Sequence, residues 1–218
     1  MYDPDLKWET TITRNLGLDF GFFKNRLSGS LEWFNRDTKG ILISLPVPLE
    51  HGTSSVPNQN AGEVNNRGID LEINWTDQID KLTYSVGFNM GFVSNKVTKF
   101  QGDIASISGV KKLQEGKPIN QYYVLDVDRI VRDQSDLDYV QSLVDKNPNY
   151  FATYQRPELG DFLFADANGD GSLNADDRIE VGHGDSPRLT FGANLSLNWN
   201  NFDFSMLLQG VGDYKVYY

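Results

Sequence analysis

Between Asp166 and Asp177 the chain reads DANGDGSLNADD, and its oxygen-bearing side chains fall at the spacing of a calcium loop. Asp166, Asn168 and Asp170 take positions 1, 3 and 5, and Gly171 takes position 6, where the chain must turn sharply. The Ser172 carbonyl, Asn174 and Asp177 take positions 7, 9 and 12. A tightly curled loop with this spacing can offer a hard cation several oxygens at about 2.3–2.6 Å. Its last ligand is Asp where Glu is usual, and the shorter arm lowers the expected affinity. Without an ion the same residues form an Asx-rich turn, their side chains accepting from nearby backbone N–H groups. Both readings stand on sequence grounds. The flanks GDFLFAD and DRIEV read as short extended segments, so the helices of an EF-hand are missing.

Other side chains carry less chemistry. Tyr122, Tyr123, Tyr150 and Tyr154 could stack on sugar rings, although packing within a long loop is the commoner use of such aromatics. The adjacent carboxylates Asp176 and Asp177 suggest acid–base hydrolysis. In an extended segment they would point to opposite sides, and both belong to the calcium pattern, so no catalytic residue and no enzyme is expected. The chain has no cysteine and only two histidines, His51 and His183, which leaves little material for a nucleophilic triad or a zinc site.

Charge narrows the partners. The 218 residues carry a formal net charge of -10, which argues against nucleic acid, since phosphate neutralisation needs clustered Lys and Arg. The acidity is concentrated: from Asp126 to Asp185 there are 14 acidic and 5 basic residues. That segment is either a solvated loop or the surroundings of a cation. No run of about 18 apolar residues exists for a transmembrane helix, and MYDPDLKWETT lacks the basic and apolar regions of a signal peptide.

The elements that must position these residues are strands. From Trp8 to Phe22, and again in five later runs, apolar and polar residues alternate with period two. The expected strands cover about 8–23, 27–45, 66–76, 82–98, 188–199 and 202–215, in a single all-β domain of long antiparallel strands. A short helix is expected from Ser135, in SDLDYVQSLVDKN. Tight turns near Asn25, Ile79 and Asn200 alternate with long excursions over about 46–65 and 100–187. Short turns at one end and long loops at the other are the habit of transmembrane β-barrels. Phe22, Phe23, Trp75, Trp199 and Phe202 gather near the short turns, while Trp8 and Trp33 fall toward the other ends, as two interfacial bands would. Arg14 interrupts the apolar stripe, so either it snorkels to an interface or a bulge shifts the register there. The alternative architecture is a secreted β-sandwich, a carbohydrate-binding module with a calcium-stabilised loop.

Five segments then occur in one order: PDLKWETT from Pro4, NLGLDFGFFKNRLSGSLEWF from Asn15, NAGEVNNRGIDLEINW from Asn60, EGKPI from Glu115, and the run from Gly160 through DDRIEVG into the last two strands. Together they resemble the later part of the barrel of SusC/RagA-type TonB-dependent outer-membrane transporters, over nearly the whole chain. The resemblance implies a bacterial outer-membrane location and a barrel of about 22 strands plugged by an N-terminal domain. It also implies import of oligosaccharides or peptides, a SusD-type surface lipoprotein as partner, TonB as energy source, and outer-membrane lipid around the barrel. About six strands cannot close such a barrel, so the chain is expected to be a fragment, an open curved sheet lacking the plug and the TonB-contacting part, that transports nothing alone.

Overall fold

The computed structural model describes residues 6–43, 58–101 and 106–217. In chain order its elements are β1 (Thr10–Phe22), β2 (Leu27–Ile43), β3 (Gln59–Ile79), β4 (Leu82–Phe100), β5 (Ser106–Ser108), β6 (Lys111–Leu113), β7 (Gln121–Leu125), β8 (Val127–Ile130), α1 (Gln134–Lys146), β9 (Phe162–Phe164), β10 (Arg178–Val181), β11 (Leu189–Trp199) and β12 (Phe202–Gly212). They fall into two compact units. The first comprises residues 1–108, 112–121 and 182–218, and the second residues 109–111 and 122–181.

The first unit is an antiparallel sheet in the order β1-β2-β3-β4-β11-β12. Its register aligns the apolar residues of every strand on one face. Leu16, Trp33, Ile69, Phe92 and Leu189 stand side by side across five strands. Leu18, Leu31, Leu71, Met90 and Phe191 form the next row, and Phe22, Leu27, Trp75, Val86, Leu195 and Met206 a lower one. The turns fix this register. Asp80–Lys81 and Asn200–Asn201 are two-residue loops whose first residues sit at φ 52 and φ 51, the left-handed region that Asp and Asn tolerate best among side-chain-bearing residues.

This face is open. Leu16 is 72% and Phe202 73% exposed, and Phe88, Phe191, Trp199 and Leu208 are also exposed. The sandwich alternative required such side chains to be interleaved against a facing layer, so that reading is corrected. Closure into a core occurs elsewhere in the unit, where Val64, Val97 and Phe100 pack with Ile41, Ile43, Leu113 and Ile119. Near this cluster β2 shifts register between Lys39 and Leu42, with Gly40 at φ 70, and β3 shifts between Glu63 and Val64. Both irregularities lie beyond the regular apolar rows, where a bulge can re-aim the chain without scrambling the face.

The third strand is longer than its sequence suggests. The alternating pattern placed it over 66–76, yet pairing runs from Gln59 to Ile79. Residues 59–65 carry Gly62 and two asparagines and look like loop, but both neighbours hold them in the ladder. Most of the excursion expected over 46–65, and His51 with it, lies outside the described residues.

The second unit organises much of the excursion expected over 100–187. β8 pairs with β9, and β7 with β10. The Asp133 carboxylate caps α1 by accepting from the Asp136 N–H at 3.1 Å, two residues ahead of the expected start. Leu137, Val140 and Leu143 recur at helical spacing and pack with Val131, Leu163 and Phe151 around a buried apolar centre. The helix stops at Asn147, before Pro148, with Lys146 in its last turn.

Candidate functional site

The aspartate loop leaves β9 at Phe164 and reaches β10 through a 3-10 turn at Ala175–Asp177. The segment holding Asp176 and Asp177 is therefore a turn rather than the extended stretch expected. Asn174 caps it and accepts from the Asp176 N–H at 2.7 Å, while the Asp177 carboxylate reaches back to the Asn174 N–H at 2.8 Å. The other Asp177 oxygen accepts from Ala167 N–H at 3.0 Å and Asn168 N–H at 3.3 Å, and the side chain is 0% exposed.

The remaining candidate ligands are turned on the loop backbone too. Asp166 accepts from the N–H groups of Gly169 at 2.7 Å, Asp170 at 3.2 Å and Gly171 at 2.8 Å. Asn168 accepts from Asp170 N–H at 2.8 Å, and Asp170 from Ser172 N–H at 2.8 Å. Gly169 at φ 74 and Gly171 at φ 82 supply the left-handed bends this wrapping needs. Outside the loop, the Asn147 amide donates to the Gly171 carbonyl at 2.7 Å and the Ser172 hydroxyl at 3.2 Å, tying the loop to the end of α1. Sequence reading missed that clamp, because Asn before Pro marks the end of a helix but not the loop that its amide binds. In kind, these oxygens suit a hard cation. In arrangement, no three Asp, Glu, His or Cys side chains converge closely enough to hold a metal among the described residues.

Beside the loop lies a cleft of about 580 Å³, lined among others by Asp128, Asp166, Asp170, Lys146, Tyr139 and Tyr150. Tyr150 is 6% exposed and stands edge-on to Phe151 at 4.8 Å between centroids. Burial, with Asp166 nearby, pushes its phenol up to about 12. Tyr122 is also 6% exposed, beneath the Lys111 ammonium. Little of either side chain is exposed. Tyr123 and Tyr154 are half-buried, and Tyr154 borders a second hollow with Phe151 and Phe162. At the head of α1 the Arg132 N–H and the Arg129 guanidinium hold the Asp136 carboxyl below its ordinary range.

In the first unit the register settles Arg14. No bulge interrupts β1 against β2, so Arg14 keeps the parity of Leu16 and stands one row beyond the apolar face, beside Asn35 and Arg67. Its guanidinium donates to Asp37 at 2.7 Å, and Asp37 also accepts from Asn35 at 3.0 Å and Asn65 at 2.6 Å. The opposite face is polar and rich in small residues, with Gly17, Ser30, Asn74, Ser85, Asn89 and Asn194 among them.

Known proteins share this architecture and sequence. The family model described as "TonB dependent receptor-like, beta-barrel" matches residues 1–218. The TonB-dependent receptor SusC of Bacteroides thetaiotaomicron is 29% identical over 223 residues, covering 100% of this chain and 21% of SusC. The TonB-dependent receptor P3 of Formosa agariphila is 31% identical over 219 residues, covering 95% of this chain and 21% of that protein. Among solved structures, the RagAB peptide importer in its closed-closed state matches with a TM-score of 0.72 at 22% identity, over 97% of this chain and 22% of the other. The chain spans about a fifth of the length of the curated relatives it matches. A match over the full 218 residues, on a sheet with this register, places the chain in the TonB-dependent receptor β-barrel family.

Proposed function

We propose that this chain forms one arc of the wall of an outer-membrane active transporter, its apolar face toward lipid and its polar face toward the lumen. The observation that carries the reading is the exposed, continuous apolar face of the six-stranded sheet. Its height suits a bilayer. From Leu82 to Phe92 the strand rises about 34 Å at 3.4 Å per residue, which becomes about 26 Å at the usual tilt, close to the apolar band of such barrels. The remainder of the barrel and a plug would complete the wall and fill it. The transported cargo is an oligosaccharide or a peptide, taken in with a SusD-type surface lipoprotein and energised through TonB. Likeness to a structure described as a peptide importer supports the peptide, and the oligosaccharide rests on the resemblance of the five segments to SusC/RagA-type transporters. Like other TonB-dependent receptors it is a transport protein, not an enzyme.

For the loop from Asp166 to Asp177 we propose weak calcium binding that stiffens the outer excursion. The support is the ligand spacing, and binding would turn Asp166, Asn168 and Asp170 toward the ion from the backbone N–H groups they accept from in this structure. Affinity near 10⁻⁴–10⁻³ M, about that of extracellular calcium modules, is expected.

Solubility tests the main reading. The full chain in plain buffer should aggregate and in nonionic detergent become monodisperse, as light scattering would register. A chain that stays monodisperse without detergent removes the lipid-facing assignment.

A further inference from the structure

The outer face carries cations directly above its apolar rows. Arg14, Asn35, Arg67 and Ser94 form the first row beyond Leu16, Trp33, Ile69 and Phe92, and Lys96 stands in register with Asn65 one step further out. Arg67 and Lys96 are thus diagonal neighbours on adjacent strands, about 7–8 Å apart at their Cα atoms. Arg14 is two strands from Arg67 in the same row, about 10 Å away.

The carboxylate at this level is already committed. Asp37 accepts from Arg14, Asn35 and Asn65, which leaves Arg67 and Lys96 exposed and with no anionic partner among the described residues. Further from the apolar rows Glu63 stands in register between Lys39 and Lys99, so the excess of cations persists. The short-turn end differs, because there Arg26 is matched by Asp77 at 3.1 Å. In a chain of net charge -10, a local positive surplus at one rim of the apolar face calls for an external anion.

The position of the rim identifies that anion. Trp33 closes the top apolar row beneath these cations, which is the level of the headgroups if the apolar face meets acyl chains. We propose that Arg67 and Lys96, with Arg14 as flank, form a binding surface for a phosphate-bearing anionic lipid headgroup at the loop end of the sheet. The inference rests on the lipid-facing reading above and adds a lipid preference to it. A guanidinium can take two phosphate oxygens at once, and a neighbouring ammonium adds a point charge to the same group. The attraction is worth about fivefold in partitioning per cation at low salt, and it fades as ionic strength rises.

The full chain in nonionic detergent would be mixed with vesicles of phosphatidylcholine, with and without phosphatidylglycerol, and the bound fraction read by flotation. Unmutated chain should favour the anionic vesicles, and the pair Arg67→Gln and Lys96→Gln should lose about 25-fold of that preference while binding neutral vesicles as before. Arg67→Lys with Lys96 intact should keep most of it. A Gln pair that retains the full preference overturns the inference. So does release of the chain from anionic vesicles by inorganic phosphate but not by chloride of equal ionic strength, which would make the ligand a free anion. Equal binding to both vesicles overturns the headgroup surface and leaves the lipid-facing sheet standing; failure to bind neutral vesicles removes both.

Discussion

Asp177 shows how much one carboxylate can hold. Both of its oxygens face backbone N–H groups, from Ala167, Asn168 and Asn174, and none of it reaches solvent. Asp177→Ala would strand three donors where water cannot replace the lost acceptor, at about 1–3 kcal/mol each before relaxation. A fall in the melting midpoint of the second unit, followed by far-ultraviolet dichroism, is the expected result. Calcium can be tested on the same loop: titration calorimetry of the full chain should show heat that Asp170→Ala abolishes, and no heat from the unmutated chain removes the ion. Spacing alone revealed the loop and the oxygen-bearing side chains that wrap its backbone, because position-specific oxygens leave a mark in sequence. The Asn147 clamp left a fainter one, since its partners Gly171 and Ser172 lie far along the chain, whereas the 3-10 turn is capped locally by Asn174 and Asp177. Tyr150 gives a pH signature. Its phenol is pushed up to about 12 by burial, above the value of 10.0 expected in the unfolded chain. The neutral form is therefore favoured by folding, and that stability is whole below about pH 10 and is lost as pH rises toward 12. Phenolate absorbance should show one late-titrating tyrosine, absent in Tyr150→Phe, whose alkaline loss of stability should be smaller.

At the level of elements, the strands were legible because each apolar face repeats with period two, and the register then put like faces together across six strands. What escaped was the first third of β3, where glycine and asparagine mimic a loop and only pairing with β2 and β4 reveals a strand. Arg14 was ambiguous for a related reason: a single strand cannot show its depth, whereas its row neighbours can. The belt supports a test of depth. Phe88 stands mid-face between Ile73 and Ala193. Phe88→Arg should lower stability in a lipid bilayer by about 2–4 kcal/mol, while Arg14→Leu, one row beyond the belt, should change it little. Urea unfolding in vesicles, with the neighbouring strands supplied on a second polypeptide, measures both, and equal costs would mean the belt has been misplaced. Close packing within the face adds another constraint. A Cβ at Gly29 would lie 2.5 Å from Phe20 Cζ and run into the Glu72 carbonyl, so Gly29→Val should cost about 1–3 kcal/mol by prising β1 from β2 and β2 from β3.

For the molecule as a whole, the decisive feature is that the main sheet ends in two unpaired edges. β1 pairs only with β2, and β12 only with β11, among the described residues. Each outer strand offers more than ten residues of backbone, half of whose N–H and C=O groups lack a ladder partner. In hydrocarbon such groups are costly, which is why only closed barrels or helices span a bilayer. On the proposed reading the apolar face takes lipid while the edges need more strands, and both needs are met together only in a closed barrel. The chain alone should accordingly insert poorly. Mixed with lipid vesicles, it should associate by its apolar face yet stay accessible to protease along β1 and β12. Supplying the neighbouring strands on a second polypeptide should protect those edges and slow their amide hydrogen exchange. Protected edges in the isolated chain, with no added strands and no self-association, would mean the sheet closes on itself and that the lipid-facing arc is the wrong picture.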